Sequence, residues 1–289
     1  MEMIDLSRFE PQETLNHTSK GNQLKWKCDG CWYKADHMGY EGLAETIVSA
    51  LLAKSTVQYP FVVYEYSQIK YKDRVYSGCK SADFLADGYD LIPSEKLYRK
   101  FTGGSLAVDT AHQGEIKDQI KFLVNFVEQT TELQNFGQYL TSMLEIDAFF
   151  LNEDRHTNNI AVQYNATNDA YALCPLVDNG LSLLAVTNMD FPLERSLEDC
   201  LKAVEAKPFS RYFDDQLDAA EELYGIQLHV NFSTNDVKTL ILQPPVYFIA
   251  ACRFWNSCFT QSSKPLYFNS LAARVTFSVS ISTLLPSSR

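Results

Sequence analysis

Leu151-Asn152-Glu153-Asp154-Arg155-His156-Thr157-Asn158-Asn159-Ile160, followed by Val177-Asp178-Asn179-Gly180-Leu181, is the stretch around which the chain is organised. Asp154 and Asn159 stand five positions apart, and Asp178 follows Asp154 by 24. Phosphoryl transfer asks little covalent chemistry of a protein. It needs a carboxylate beside the acceptor hydroxyl and oxygen ligands for the cation that bridges the phosphates. These three side chains can supply both. Ile160-Ala161-Val162-Gln163-Tyr164 and Tyr171-Ala172-Leu173-Cys174 are apolar-rich runs on either side of a polar turn, so a hairpin carries the loop round to Asp178. Gly180 frees the backbone just beyond that second carboxylate.

The motif Asp154-Arg155-His156-x-x-Asn159-Ile160 with Asp178-Asn179-Gly180 resembles the catalytic loop and metal-binding triplet of the HipA-like serine/threonine kinases, including the CtkA-like group. It is also similar to the Asp-Arg-His-x-x-Asn loop of phosphoinositide-type atypical kinases. Relative to ordinary protein kinases the His and Asp are transposed, and Asn179 stands where those enzymes have Phe. The resemblance covers residues 18 to about 225. It implies an α+β, bilobal protein-kinase-like fold with a small β-rich N-lobe over residues 1–66 and a mostly helical C-lobe over 67–289, the tail 270–289 being unassigned. It also implies ATP and Mg2+ as cofactors, Asp154 at the acceptor hydroxyl, His156 orienting the loop by hydrogen bonding, and Asn159 and Asp178 as magnesium ligands. Thr18-Ser19-Lys20-Gly21-Asn22-Gln23-Leu24-Lys25 is similar to the family's phosphate loop, with Gly21, Gln23 and Lys25 at the matching positions. A glycine such as Gly21 lets backbone N–H groups approach phosphate closely.

Lys34 lies in the second strand of a hairpin that turns at Asp29-Gly30, and residues 41–52 follow with Leu43, Ile47, Ala50 and Leu51 at helical spacing. A strand lysine paired with a helix glutamate is the device by which kinases hold nucleotide phosphates. Lys34 is therefore the candidate phosphate-binding lysine. Glu41 and Glu45 compete to be its partner, with Glu45 favoured because it lies within the apolar-periodic part of the helix. Residues 61–66 read as the last strand of the first lobe, with Glu65 near a hinge whose backbone can meet an adenine edge. Residues 70–80 read as a polar loop or short hairpin, and Ser81 as the cap of a short helix.

The chain has 289 residues, 46% of them hydrophobic and 21% charged, enough for a sizeable core. A net charge of -11 disfavours a broad nucleic-acid or anionic-membrane surface, which would reward clustered Lys and Arg. No apolar run reaches the roughly 18–20 residues that span a bilayer, and residues 1–10 lack a signal-peptide pattern, so a cytoplasmic location is expected. Seven cysteines then read as reduced thiols. Cys28 and Cys31 have zinc-knuckle spacing but no second ligand pair, and Cys174 and Cys200 lack the context of a nucleophile.

Farther along, residues 113–129 and 131–150 are the longest amphipathic segments, the second delivering the chain to Asp154. Residues 196–206, 214–224 and 235–242 read as helices, and the alternating run 275–283 has no functional reading. The resemblance implies transfer to a serine or threonine of a protein substrate, an antitoxin-type partner protein, and self-phosphorylation at Thr18 or Ser19. A small-molecule or lipid kinase is the alternative within enzymes. A silent nucleotide-binding module is the alternative outside them.

Overall fold

Residues 3–12 and 23–242 are described in the computed structural model. Gly21 and the hydroxyls of Thr18 and Ser19 lie outside them, as does the tail. Strands β2 (Lys25–Cys28) and β3 (Cys31–Ala35) pair antiparallel through Asp29-Gly30. Both turn residues have positive φ, 50° and 72°, the sign pattern of the two-residue hairpin turn that Asp-Gly favours. A second hairpin joins β4 (Tyr64–Tyr71) to β5 (Arg74–Ala82), and β1 (Met3–Asp5) adds parallel to β4, giving the order β1-β4-β5-β3-β2. Trp26, Ala35, Ile69 and Tyr71 pack together with Leu6, the rings of Trp26 and Tyr71 lying 5.2 Å apart.

This sheet corrects two readings and bears out a third. The strand expected at 61–66 starts at Tyr64 and runs on to Tyr71. The stretch 70–80, read as a polar loop or short hairpin, is a hairpin, turning at Lys72-Asp73 with Tyr71 opposite Arg74. Ser81, expected to cap a helix, pairs with Tyr64 in β5. The sheet therefore extends to residue 82 rather than ending at 66.

Helix α1 (Glu41–Leu52) packs against β4 and β5. It comes so close that a Cβ on Gly42 would lie 2.5 Å from the Gly78 carbonyl carbon, so neither position admits a larger residue without a shift. After β6 (Tyr89–Pro93) come α2 (Ser94–Thr102), α3 (Leu106–Ala111), α4 (Ile116–Thr131) and α5 (Phe136–Phe150). β7 (Ala161–Asn165) and β8 (Ala170–Leu173) form the expected hairpin, and β6 joins it as a third strand in the order β6-β7-β8. Helices α6 (Leu197–Ala203), α7 (Phe213–Tyr224) and α8 (Thr234–Leu242) complete the described chain.

α5 is buried almost all round, and a Cβ on its Gly137 would meet the Tyr224 ring of α7 at 2.4 Å. One apolar cluster runs from Leu43, Ile47 and Leu51 of α1 through Phe136, Leu140 and Leu144 of α5 to Ile160 and Leu176. Burial at about 25 cal/mol per Å2 makes such a cluster the main stabilising term, and it clamps α1 to the loop-bearing helix. The fold is mixed α and β, and no helix among the described residues is long and apolar enough to cross a membrane.

Candidate functional site

Helix α5 ends where Leu151 turns left-handed, φ 56°, and the chain emerges into the Asp154 loop. Asp147, on the last turn of α5 and fully buried, holds that loop. Its carboxylate accepts from Arg155 Nε at 2.8 Å, from Arg155 Nη2 at 3.0 Å and from Asn152 Nδ2 at 2.8 Å. Such a bidentate Arg–carboxylate fork fixes both distance and orientation. Arg155 also donates to the carbonyls of Asn159 and Val177, both at 3.1 Å, and to Asn179 Oδ1 at 3.2 Å. One buried guanidinium thus joins the end of α5, the Asp154–Asn159 loop and the Asp178 segment. Burial works against its charge, but Asp147 overcomes this and raises its pKa.

Within the loop, Asn159 Nδ2 donates to the Asp154 carbonyl at 2.8 Å and lies 3.3 Å from Asp154 Oδ2. The amide nitrogen is thereby committed to Asp154, which turns the Asn159 carbonyl oxygen the other way. His156 Nε2 is 3.8 Å from Asp154 Oδ2, too far for a hydrogen bond, and its Nδ1 is buried without a partner. The loop is oriented by Arg155, not by the His156 imidazole as the sequence suggested. Thr157 Oγ1 donates to Glu95 Oε2 at 3.1 Å and ties the loop to α2 as well.

Lys34 meets this assembly from the sheet. Its Nζ donates to Glu45 Oε1 at 2.6 Å and to Asp178 Oδ1 at 2.8 Å, and sits 4.9 Å from the centre of the Tyr64 ring. Glu45 Oε2 accepts the Asn179 N–H at 3.0 Å, so α1 is bonded to both Lys34 and the Asp178 segment. Burial of Lys34 opposes its charge, but Asp178 and Glu45 outweigh this and raise its pKa well above the ordinary value. Lys34 in turn, against partial desolvation and with help from Lys25 and Arg155, holds the Asp178 carboxyl well below the ordinary carboxylate value. Asp178 adopts φ 68°, a conformation uncommon for a residue with a Cβ and one that clusters at functional sites. Its side chain stays 39% exposed.

The choice between the two glutamates of α1 is settled by geometry. Glu41 accepts the backbone N–H groups of His37, Met38 and Gly39 and so holds the turn that leads into its helix, while Glu45 pairs with Lys34. Lys25 stands directly opposite Lys34 in the β2–β3 ladder, on the same sheet face, and Gln23 lies just ahead of β2. Glu65 is not part of this network. It follows Tyr64 in β4, so alternation turns it to the other face, where it pairs with Lys80 at 3.1 Å with 70% of its side chain exposed.

The segment 60–62 is bonded to the approach to Asp178: Val62 N–H donates to the Leu176 carbonyl at 3.0 Å and Leu176 N–H to that of Pro60 at 2.8 Å. Asp147, the organising role of Arg155, and Lys207, whose Nζ lies 3.4 Å from Asp154 Oδ1, were not found from the sequence. The one visible signal was an acid, Asp147, in the otherwise apolar run 146–150. Cys28 and Cys31 lie at the β2–β3 turn and form no disulfide. Burial pushes the Cys174 thiol up to about 12, which suits a core residue.

No protein-family profile and no curated protein matches the chain. Among solved structures, the crystal structure of a Helicobacter pylori proinflammatory kinase, CtkA, is similar to it with a TM-score of 0.56 and 16% sequence identity, covering 89% of this chain and 92% of that one. The likeness extends over nearly the whole of both chains and shows a kinase-like fold.

Proposed function

We propose that this chain is an ATP-dependent phosphotransferase of the HipA-like serine/threonine kinase type, with the nucleotide held between a sheet-bearing N-lobe and a helical C-lobe. One observation carries the reading: Lys34 bonds Glu45 and Asp178 together, while Arg155 ties the Asp178 segment to the loop of Asp154 and Asn159. A purely structural ion pair has no need of all five groups in one connected array. The similarity to a kinase structure supports the same reading.

In this proposal Lys34, kept protonated by its two carboxylates, holds the nucleotide phosphates, and Glu45 fixes its direction. Lys25 adds a second cation on the same face; two lysines directly opposite one another repel unless an anion lies between them. Gly21 and Gln23 would cover the phosphates from the preceding loop. Hard divalent cations take oxygen ligands, and Mg2+ characteristically uses one or two protein groups together with substrate phosphates. The exposed Asp178 carboxylate and the outward Asn159 carbonyl oxygen fit that demand. When bound, Mg2+ would neutralise charge on the phosphates. Asp154, steadied by Asn159, accepts the proton of the acceptor hydroxyl, which we take to belong to a serine or threonine of a protein, Thr18 and Ser19 of the chain itself included.

The test is incubation with Mg2+ and γ-labelled ATP beside Asp154→Asn, read by intact mass and by labelling of lysate proteins. Label on protein that disappears in Asp154→Asn is the expected result. ATP consumed with label on small molecules alone would move the reading to a metabolite kinase. ATP bound with nothing transferred or hydrolysed would make the chain a silent module.

A further inference from the structure

Asp154 has a neighbour that the loop itself does not supply. Lys207 comes from the chain after α6, 53 residues downstream, and its Nζ lies 3.4 Å from Asp154 Oδ1. It is the cation facing the carboxylate oxygen that Asn159 leaves open, since Asn159 is directed at Oδ2. The backbone that carries Lys207 is clamped. Gln216 of α7, fully buried, donates from Nε2 to the Lys207 carbonyl at 3.1 Å and accepts the Phe209 N–H on Oε1 at 3.3 Å. Ala206 N–H donates to the Arg211 carbonyl at 2.9 Å and closes the same turn. The side chain beyond this rigid base is 41% exposed and lines an open cavity of about 300 Å3 with Glu153, Asp190, Phe191, Arg195 and Glu205.

A surface lysine near an aspartate is by default a weak ion pair of about 0–1 kcal/mol. Two features distinguish this one: a buried polar clamp sets its backbone, and its partner is the proposed proton acceptor. We propose that Lys207 contacts the phosphoryl group in flight. The inference rests on the phosphotransferase reading above. As the acceptor oxygen forms its bond to the γ-phosphorus, the bond from that phosphorus to the β,γ-bridging oxygen breaks, its electron pair leaving with ADP. The hydroxyl proton passes to Asp154. Lys207 then swings from Asp154 Oδ1 to a γ-phosphoryl oxygen and donates a hydrogen bond where charge is concentrated during transfer. A donor released to the phosphoryl group only as Asp154 takes the proton acts on the transition state far more than on the bound nucleotide.

The experiment uses the full chain with Lys207→Ala and Lys207→Arg, each checked for an unchanged thermal transition. Affinity is measured calorimetrically for Mg-ADP and for Mg-ADP with aluminium fluoride, which mimics the transferring phosphoryl, and the rate of γ-phosphate loss from Mg-ATP is followed in parallel. Expected for Lys207→Ala is a loss of about 100-fold in rate and a comparable loss in the added affinity that aluminium fluoride confers, with Mg-ADP affinity unchanged within about twofold. Lys207→Arg recovers part of both. Lys207→Ala with wild-type rate and wild-type aluminium fluoride affinity overturns the inference and leaves the kinase reading standing. Equal weakening of Mg-ADP and of the mimic overturns it too, since Lys207 would then be a ground-state contact. A wild-type chain that neither loses γ-phosphate nor responds to aluminium fluoride sinks both.

Discussion

Asp147→Asn removes one charge and leaves the shape intact, and its cost can be worked from the contacts. Asp147 is fully buried and Arg155 is 3% exposed, so the pair is not screened by water. The carboxylate accepts three hydrogen bonds, two of them from Arg155. An amide in its place turns an NH2 toward a donor and leaves a buried guanidinium without its counter-charge. Breaking a buried pair on one side costs about 3–5 kcal/mol. Against a total stability of about 5–15 kcal/mol that is severe, and at about 2–4 °C per kcal/mol the melting temperature should fall by about 6–20 °C. Because Arg155 also holds the Asn159 and Val177 carbonyls, nucleotide binding should weaken in the folded fraction. Thermal and urea unfolding of Asp147→Asn, Arg155→Met and the double variant supply the measurement. The double should be milder than the sum of the singles by more than about 1 kcal/mol. If Asp147→Asn unfolds within about 1 kcal/mol of wild type, the idea that this pair organises the site is wrong.

Three further outcomes follow from the same contacts. Lys34→Met removes the largest cause of the depressed Asp178 pKa. Ionised Asp178 stabilises the fold above about pH 4, and this contribution is lost as pH falls through its lowered folded-state value; in Lys34→Met the stability curve between about pH 4 and pH 2 should therefore be flatter, and an unchanged slope in acid urea titrations would contradict the assignment. Glu41→Ala and Glu45→Gln should separate: the first costs about 1–3 kcal/mol by leaving the N–H groups of residues 37–39 without their acceptor, with Mg-ATP affinity intact, while the second lowers γ-phosphate transfer about tenfold or more, and identical effects would refute the division of roles. Cys174, its thiol pushed up to about 12 and buried, should resist iodoacetamide at pH 8 in the native chain while half-exposed Cys31 reacts, which peptide mapping can check.

What could be read from the sequence was what local spacing carries. The Asp154–Asn159 interval, the hairpin that returns to Asp178, and the pairing of Lys34 with Glu45 all follow from short-range pattern. The choice of Glu45 succeeded because a residue within the apolar stripe of α1 faces inward, whereas Glu41, at the helix start, turns back to the N–H groups of the preceding turn. The outward turn of the Glu65 side chain follows from the strand's parity and leaves it outside the Lys34 network, whereas the hinge reading concerns backbone groups of this segment. The β4–β5 hairpin was legible only as a polar loop or short hairpin, because Lys and Ser residues such as Ser67 and Ser81 are buried in strands where apolar residues would mark a strand face. β6 became a strand only by pairing with β7, about 70 residues later in the chain, a contact with no local signal. Arg155 was visible as part of a motif, yet its function as a hub depends on Asp147 and on two carbonyls from separate elements. Lys207 had no signal at all, since only tertiary folding brings it to Asp154.

In the proposed mechanism Asp178, Asn159 and Lys34 form one site for a divalent cation and nucleotide phosphates. Titration of the chain with Mn2+ in the presence of ATP, followed by loss of the free Mn2+ paramagnetic resonance signal, tests this. Wild type should bind Mn2+ together with ATP, and Asp178→Asn should weaken this by about tenfold or more. Equal binding by Asp178→Asn, or none by the wild-type chain, would contradict it.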